Sequence, residues 1–296
     1  MTGELILQYF FSGITVGAIY AIVAVGFNII YNATGIINFA QGEFVMLGGM
    51  IAYSCIQIMP LFPAIVIAVL ITVIIGALLE LIFIRNLKNP SVLQMIVITI
   101  GLSIIIREAA LHIWDEKVRA LPFFTGTEVS SIAIFGAHIS PQVLWVIGVS
   151  ALIVVLLNVF FKFTLVGQAM RACSANRVSA SLCGINIKNM ITLSFMLSAG
   201  IGALAGCVVS PLTQTSYNMG TELAIKGFTV AIFGGLGNST AAVLAGLLLG
   251  LLESYSISII PMAYTDAIAI IILLGVLFFK PSGLFVSKEI GTLKEF

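Results

Sequence analysis

Nine apolar runs follow one another along the chain, and they limit the possible folds more than any other feature. A helix needs about 20 apolar residues to cross a bilayer. The sequence is 60% hydrophobic and only 8% charged, whereas about a quarter of a soluble domain is charged. We therefore predict an all-α polytopic membrane protein, a single transmembrane domain over residues 1–296 with about eight to ten spanning or half-spanning helices. The predicted spans are 5–31, 36–57, 61–84, 91–114, 141–161, 190–212, the short 222–236, 238–260 and 264–280.

Basic residues predict how the chain is oriented, because Lys and Arg concentrate on the cytoplasmic side. They cluster in the loop with Arg85 and Lys88, in the stretch 162–189, and from Lys280 to the C-terminus. We place these three regions in the cytoplasm. The N-terminus and the loop 115–140 are then outside, and the C-terminus is inside.

The residue types that enzymes and nucleic-acid-binding proteins need are missing or scattered. His112 and His138 have no Cys, His or Asp partner at metal-ligand spacing. No Gly-Lys pair occurs, which excludes a Walker A loop. The net charge of +1 gives no basic field for nucleic acid. We expect no catalytic site, no metal and no cofactor in this chain, and we expect its four cysteines to be packing residues.

The stretch GIINFAQGEFVMLGGM places polar groups between two apolar runs. One interpretation is a helix that breaks near Gly35 and restarts near Asn38, with polar groups facing a solute path. The other is that Asn38 caps the helix, Gln41 completes a capping box and Glu43 pairs with a neighbouring helix. Because carboxylates inside a membrane are functional candidates, we predict Asn38, Gln41, Gly42 and Glu43 as pathway residues.

A later stretch repeats this pattern. Residues 227–250 resemble residues 26–49: both begin with Gly-Phe, break at a Gly/Asn patch and resume as a small-residue helix. Repeated Gly-interrupted segments in two halves of a chain indicate a transport pathway. Asn238, which stands where Asn38 does, therefore joins the predicted pathway. The alternative is chance similarity between two Gly-rich membrane helices.

The stretch 161–190 predicts a short amphipathic helix on the cytoplasmic side. Apolar residues recur at three- and four-residue steps, as on one helix face: they are Phe163, Val166, Met170 and Cys173. Gly184 then predicts a helix end, and Asn186 predicts a new start. Such a helix can dock into a partner's groove or lie on anionic lipid, and spacing alone favours neither.

The remaining charges inside predicted spans are interpreted as structural. Arg107 and Glu108 are neighbours and point in different directions on a helix, so they form no simple pair. Glu222 and Lys226 have the i, i+4 spacing of an intrahelical pair.

Four motifs resemble the permeases of branched-chain amino acid ABC transporters of the LivH type. They are INFAQGEFVMLGGMIAY (37–53), the segment that ends MRACSANRVSASLCGIN (170–186), FGGLGNSTAAVLAGLLLGLLE (233–253) and FFKPSGLF (278–285). The second matches the family's coupling segment, in which an Ala-rich turn precedes a glycine. Ala180 and Gly184 fit that pattern, whereas Ser179 and Ser181 depart from it.

The resemblance implies a permease subunit of an ATP-driven importer in a prokaryotic inner membrane. It implies a second permease (a LivM-type chain or another copy), two cytoplasmic ATPases that bind ATP and Mg²⁺, and an external solute-binding protein. The substrates would be leucine, isoleucine and valine; urea, amides or another small polar solute are the alternative, and a passive channel is a further one. The residues predicted to couple to the ATPase are Met170, Arg171, Ser174, Arg177, Ala180, Gly184 and Asn186.

Overall fold

A computed structural model shows the protein to be almost entirely helical. It describes residues 3–87, 91–127, 129–134, 137–258, 261, 264–280 and 283. The helices within these ranges are α1 (Gly3–Thr34), α2 (Gln41–Ile56), α3 (Leu61–Leu79), α4 (Val92–Trp114), α5 (Pro141–Phe163), α6 (Leu165–Ala175), α7 (Arg177–Leu182), α8 (Ile187–Thr213), α9 (Met219–Gly234), α10 (Ser239–Ser256) and α11 (Thr265–Phe279). A π-helical turn, Glu80–Ile84, extends α3, and strands β1 (Ile132–Ile134) and β2 (Ala137–Ile139) form an antiparallel ribbon before α5.

Each predicted span coincides with a helix, which confirms the predicted fold class. Among the described residues, six helices are long and apolar enough to cross a membrane. Three others are shorter: α2 and α9 have 16 residues and α11 has 15, about 23 Å at 1.5 Å per residue. The predicted short span 222–236 is thus confirmed as α9. The predicted start of 36–57 is wrong, because α2 begins only at Gln41.

Helix α1 lies in the middle of the bundle. It packs against α10, α8, α9 and α5, and every residue from 17 to 30 is buried. A helix that is apolar on all sides is expected to be surrounded by protein. The peripheral helices α3, α4 and α5 instead leave most of their surface uncovered.

Glycines let α1 and α10 approach closely. A Cβ atom on Gly17 would lie 2.7 Å from the carbonyl oxygen of Gly246, and one on Gly13 would lie 2.8 Å from the Cα of Leu251. In lipid, small residues allow helix backbones to come into contact. At this crossing the glycines therefore act as packing residues.

The loops predicted to lie on opposite sides of the membrane are found at opposite ends of the bundle. Gln8 of α1 and His138 of the loop 115–140 line one cavity of about 250 Å³. At the opposite face, Arg177 of α7 contacts Ala33 at the end of α1. The first turns of α1 therefore share a face with the loop 115–140, and the placement of this face outside the cell remains a prediction. Some residues on which the predicted orientation and the fourth motif depend lie outside the described residues. They are Lys88, Lys288, Lys294 and most of 281–285.

Lys226 pairs with a residue of the next helix. Its Nζ lies 2.8 Å from Glu253 Oε1 and 5.3 Å from the ring centre of Tyr20. The predicted intrahelical pair with Glu222 is therefore wrong, because Glu222 is exposed while α10 brings a carboxylate to the inner side of α9.

Candidate functional site

The first break, residues 35–40, separates α1 from α2. Helix α1 ends where Gly35 adopts a left-handed conformation with φ +65°, which glycine takes without steric cost. The Thr34 hydroxyl completes the turn: it donates to Ile30 O at 2.7 Å and accepts from the Ile36 amide at 3.2 Å. The break predicted near Gly35 is confirmed.

Asn38 does not cap α2, so that prediction is wrong. The residue before the first turn of α2 is Ala40, which makes no side-chain cap. Asn38 Oδ1 instead accepts from the Ala40 amide at 3.1 Å, a local turn typical of asparagine. Asn38 is buried, and its Nδ2 finds no acceptor among the described residues. This break therefore retains an unused donor inside the bundle.

Gln41 joins three helices in the bundle interior. Its Nε2 donates to Ser198 O at 3.3 Å, and its Oε1 accepts from the Ser198 hydroxyl. The same hydroxyl lies 2.9 Å from Gly26 O on α1. Gln41 thus ties α2 to α8 and α1, and the predicted capping box with Asn38 does not form.

Gly42 and Glu43 lie where α2 crosses α9. A Cβ atom on Gly42 would overlap the carbonyl oxygen of Gly220. Glu43 is 1% exposed, and its Oε1 accepts from the Ser103 hydroxyl at 2.8 Å and the Thr221 hydroxyl at 3.4 Å. Its Oε2 has no partner among the described residues. These contacts fit the interpretation that Glu43 binds neighbouring helices, and a contact with solute remains a prediction.

We expect Glu43→Gln to lower uptake several-fold while the protein still assembles. The amide keeps an acceptor oxygen for the hydroxyls of Ser103 and Thr221, but it replaces the carboxyl group that Thr221 links to Arg107, whose Nη1 donates to Thr221 Oγ1 at 3.0 Å. Uptake in cells and yield of purified complex measure the two effects. Glu116→Gln, at an exposed position in the loop 115–140, is the control. Normal uptake by assembled Glu43→Gln would contradict the prediction.

The second break, residues 235–238, separates α9 from α10. Gly235 and Gly237 have φ values of +105° and +92°, which side chains rarely allow. Asn238 caps α10, since its Oδ1 accepts from the Ala241 amide at 3.1 Å. Asn238 immediately precedes its helix whereas Asn38 stands three residues before α2, so the two breaks are similar without being equivalent.

Two asparagines of α1 hold the second break. Asn28 Oδ1 accepts from the Gly237 amide at 3.0 Å, and its Nδ2 donates to Asn238 O at 3.2 Å. Asn32 Nδ2 donates to Gly237 O at 3.0 Å. Neither asparagine was predicted from the sequence as a site residue, although two asparagines four residues apart in an apolar run share one helix face. Both breaks therefore lie against the same end of α1, Gln41 beside Gly26 and the second break beside Asn28.

The segment 164–186 lies below this end of α1 and contains α6 and α7. It confirms the predicted helix end at Gly184, with φ +82°, and the new start at Asn186, whose Oδ1 accepts from the Asn189 amide at 3.3 Å. The predicted apolar face is partly wrong. Met170 and Cys173 are buried, but Phe163 and Val166 are 69% and 40% exposed.

The physical reason is where α6 meets the bundle. Gly167 of α6 is buried, as Met170 and Cys173 are. A Cβ atom on Gly167 would overlap Phe160 O at the end of α5, so the two helices are in contact there. The close approach at Gly167 turns Val166 away from the bundle. Phe163 is the last residue of α5, and the cap at Thr164 separates it from α6, so it does not share a helix face with Met170 and Cys173.

Five of the seven predicted coupling residues fall into two groups. Met170 and Ala180 are buried and hold the segment on the bundle. Arg177 donates from Nη2 to Ala33 O at 3.2 Å, a favourable place for a cation at a helix C-terminus. Arg171 and Gly184 are exposed.

A cavity of about 620 Å³ separates the segment from the second break. Arg171 and Ser174 line it on one side, Asn32 and Asn238 on the other. The structure thus brings together Asn238 and the coupling residues, which the sequence assigned to different roles. Asn38, Gln41 and Glu43 are buried elsewhere in the bundle. Within the described ranges, no group of three His, Cys, Asp or Glu residues could hold a metal ion.

Comparison with known proteins gives consistent matches along the chain. A family described as "Branched-chain amino acid transport system / permease component" matches residues 9–277. The high-affinity branched-chain amino acid transport system permease protein BraD of Pseudomonas aeruginosa is 31% identical, with 96% of this chain and 97% of BraD covered. The corresponding LivH of Escherichia coli is 30% identical, with 96% of each chain covered. The ribose import permease protein RbsC of Haemophilus influenzae is 25% identical over 80% of this chain and 73% of RbsC.

Proposed function

Because the chain belongs to the family of branched-chain amino acid transport permease components, we propose that it forms the membrane pathway of an ATP-driven importer for leucine, isoleucine and valine. The observation that carries the proposal is similarity over nearly the whole chain to BraD and LivH. The sugar permease RbsC is less similar and covers less of the chain, which favours amino acids over other small polar solutes.

The proposal includes separate chains for the remaining steps. Two cytoplasmic ATPases bind and hydrolyse ATP with Mg²⁺, an external binding protein delivers the solute, and a second permease of LivM type or another copy completes the pathway in the cell membrane. The N-terminus lies outside and the C-terminus in the cytoplasm. In this arrangement Asn38, Gln41, Gly42, Glu43 and Asn238 belong to the part of the bundle that surrounds the solute pathway.

The α6–α7 segment supports contact with the ATPases. Leu165, Val178 and Leu182 are 85%, 71% and 84% exposed, and apolar side chains of this kind anchor a helix in a partner's groove. On the other side of the segment, Arg177 bonds the end of α1. A displacement imposed by an ATPase would therefore reach the inner end of α1, where both breaks lie.

The complete transporter, reconstituted in vesicles with its ATPases and binding protein, tests the function. We expect uptake of leucine that requires ATP, with ribose and urea not transported. We expect Leu182→Asp to lose most ATPase co-purification and uptake, because a charge replaces an anchoring side chain.

Ile58→Asp is the matched control, since Ile58 is 85% exposed at the opposite face of the bundle. Gly184→Trp and the reversal of Arg171 and Arg177 to glutamate are expected to act as Leu182→Asp does. Normal co-purification and uptake in Leu182→Asp, Gly184→Trp and the arginine reversals would refute the docking role. Uptake without ATP would refute the function as an ATP-driven importer.

A further inference from the structure

The depth of the polar residues in the membrane follows from an apolar stripe on α3. Large side chains at four-residue steps face outward along this helix: Phe62, Val66, Leu70, Ile74, Leu78 and Ile82. The stripe is about 30 Å long at 1.5 Å per residue, the thickness of a bilayer's hydrocarbon core. Its centre, at Thr72, therefore lies near the bilayer midplane.

Contacts between helices locate the bilayer midplane on α8 and α2 as well. Gly76 of α3 faces Ala199 of α8, where a Cβ would lie 2.6 Å from the Ala199 side chain. The two helices run in opposite directions, so Thr72 is level with Ala203. Gly48 of α2 packs on the backbone of Ala203. The midplane therefore passes near Gly48.

Two side-chain contacts locate the midplane on α4, which runs parallel to α2. Glu43 precedes Gly48 by five residues and bonds Ser103 of α4, so the midplane crosses α4 about five residues after Ser103, at Glu108. A second contact between α2 and α4, closer to the outer surface, gives the same position for the midplane. Ser54 follows Gly48 by six residues, and it bonds the indole of Trp114, which follows Glu108 by six.

Exposed polar groups surround this point. Glu108 is exposed and Arg107 is half-buried. Thr221 bonds Arg107 and Glu43, which places the exposed carboxylate of Glu222 within about two helical turns of the midplane. Charged side chains at this depth face a protein partner or a water-filled cavity, not lipid.

The chain that leads to α9 is not helical at this depth. Residues 214–218 connect the outer end of α8 to Gly220, which packs against Gly42 in the bundle interior. Within this stretch Gln214 and Asn218 are exposed. Non-helical backbone at membrane depth is tolerated where it is covered by protein or lines water. We call Arg107, Glu108, Gln214, Asn218 and Glu222 the polar wall.

We propose that the polar wall lines the water-filled solute path from the outer surface to just past the midplane, facing the second permease chain. Its guanidinium and carboxylates suit a solute that carries both an ammonium and a carboxylate. Glu43 lies behind the wall and acts through Ser103 and Thr221, so it is a positioning residue. The inference rests on the proposed function for the nature of the solute, but the presence of water along this face is independent of it.

Cysteine accessibility tests the proposal in the complete transporter in membranes. Cys55 and Cys183 are replaced by alanine, and single cysteines are introduced by Glu108→Cys, Asn218→Cys and, as the control, Ile74→Cys. Ile74 is 57% exposed on the α3 stripe, near the midplane. A positively charged methanethiosulfonate is the probe.

We expect the wall cysteines to react about tenfold or more faster than Ile74→Cys, because only a thiolate reacts and a thiol in hydrocarbon stays protonated. Reaction at Asn218→Cys and Glu108→Cys as slow as at Ile74→Cys would overturn the proposal. Asn218→Cys keeps the test valid if Glu108→Cys does not assemble. Fast reaction of the wall cysteines supports the polar wall, whichever solute slows that reaction. Slowing of the reaction by leucine but not by ribose tests the proposed substrate separately.

Discussion

Gly42→Ala is expected to prevent the bundle from folding. One methyl group at this position would meet the carbonyl oxygen of Gly220, which belongs to the backbone of α9 and cannot rotate away. Ordinary overpacking costs about 1–3 kcal/mol, and an obstacle made of backbone is expected to cost at least the upper end of that range. Because α2 and α9 also meet through Glu43 and Thr221, separating them breaks further contacts.

Gly101→Ala provides the matched control. Gly101 also lies inside a membrane helix, but no atom lies within 4 Å of a Cβ placed there. Alanine is the better helix former by about 1 kcal/mol, so this variant should be at least as stable as the parent. The yield of monodisperse protein and its unfolding temperature in mild detergent measure both. Equal behaviour of the two variants would show that α2 and α9 do not touch at Gly42.

Lys226→Met is expected to destabilise the protein strongly by leaving Glu253 without its partner. The ion pair is 2.8 Å long, and its side chains are 17% and 9% exposed. Removing one partner of a buried pair typically costs about 3–5 kcal/mol, because the other charge remains unpaired. Glu253 Oε2 has no hydrogen-bond partner among the described residues, so the carboxylate has little else to stabilise it.

The double variant Lys226→Met with Glu253→Leu should recover most of the lost stability. Replacing a whole buried pair by apolar side chains is often neutral or favourable. Unfolding temperatures of the parent, both single variants and the double variant form the required cycle. If the double variant is as unstable as Lys226→Met, the loss comes from packing against Tyr20 and not from the unpaired charge.

The sequence predicted the helices well because membrane spans are signalled locally. Each span is a run of apolar residues, and the end of α1 is marked by Gly35 within the run itself. The start of α2 was less accurate: Phe39 and Ala40 are apolar, so the pattern continues through a turn that tertiary contacts impose. The cap at Asn238 could be predicted, since the side chain bonds its own helix.

Partners distant in the chain could not be predicted from spacing. Gln41 meets Ser198, 157 residues away, and Lys226 meets Glu253 on the next helix. Sequence distance favoured Asn38 for Gln41 and Glu222 for Lys226, and both were wrong because the bundle offers nearer groups. The exposure of Glu108 also required the structure, since a single helix does not show which of its faces is covered.

The packing of α1 against α10 has a consequence for how the protein is made. Asn28 and Asn238 stand 210 residues apart, so at about 5–20 residues per second roughly 10–40 s pass between the synthesis of the two helices. During that time the glycine face and the two asparagines of the first helix lack their final partner. The insertion machinery, or a helix made in between, must shelter them until the last fifth of the chain is synthesised.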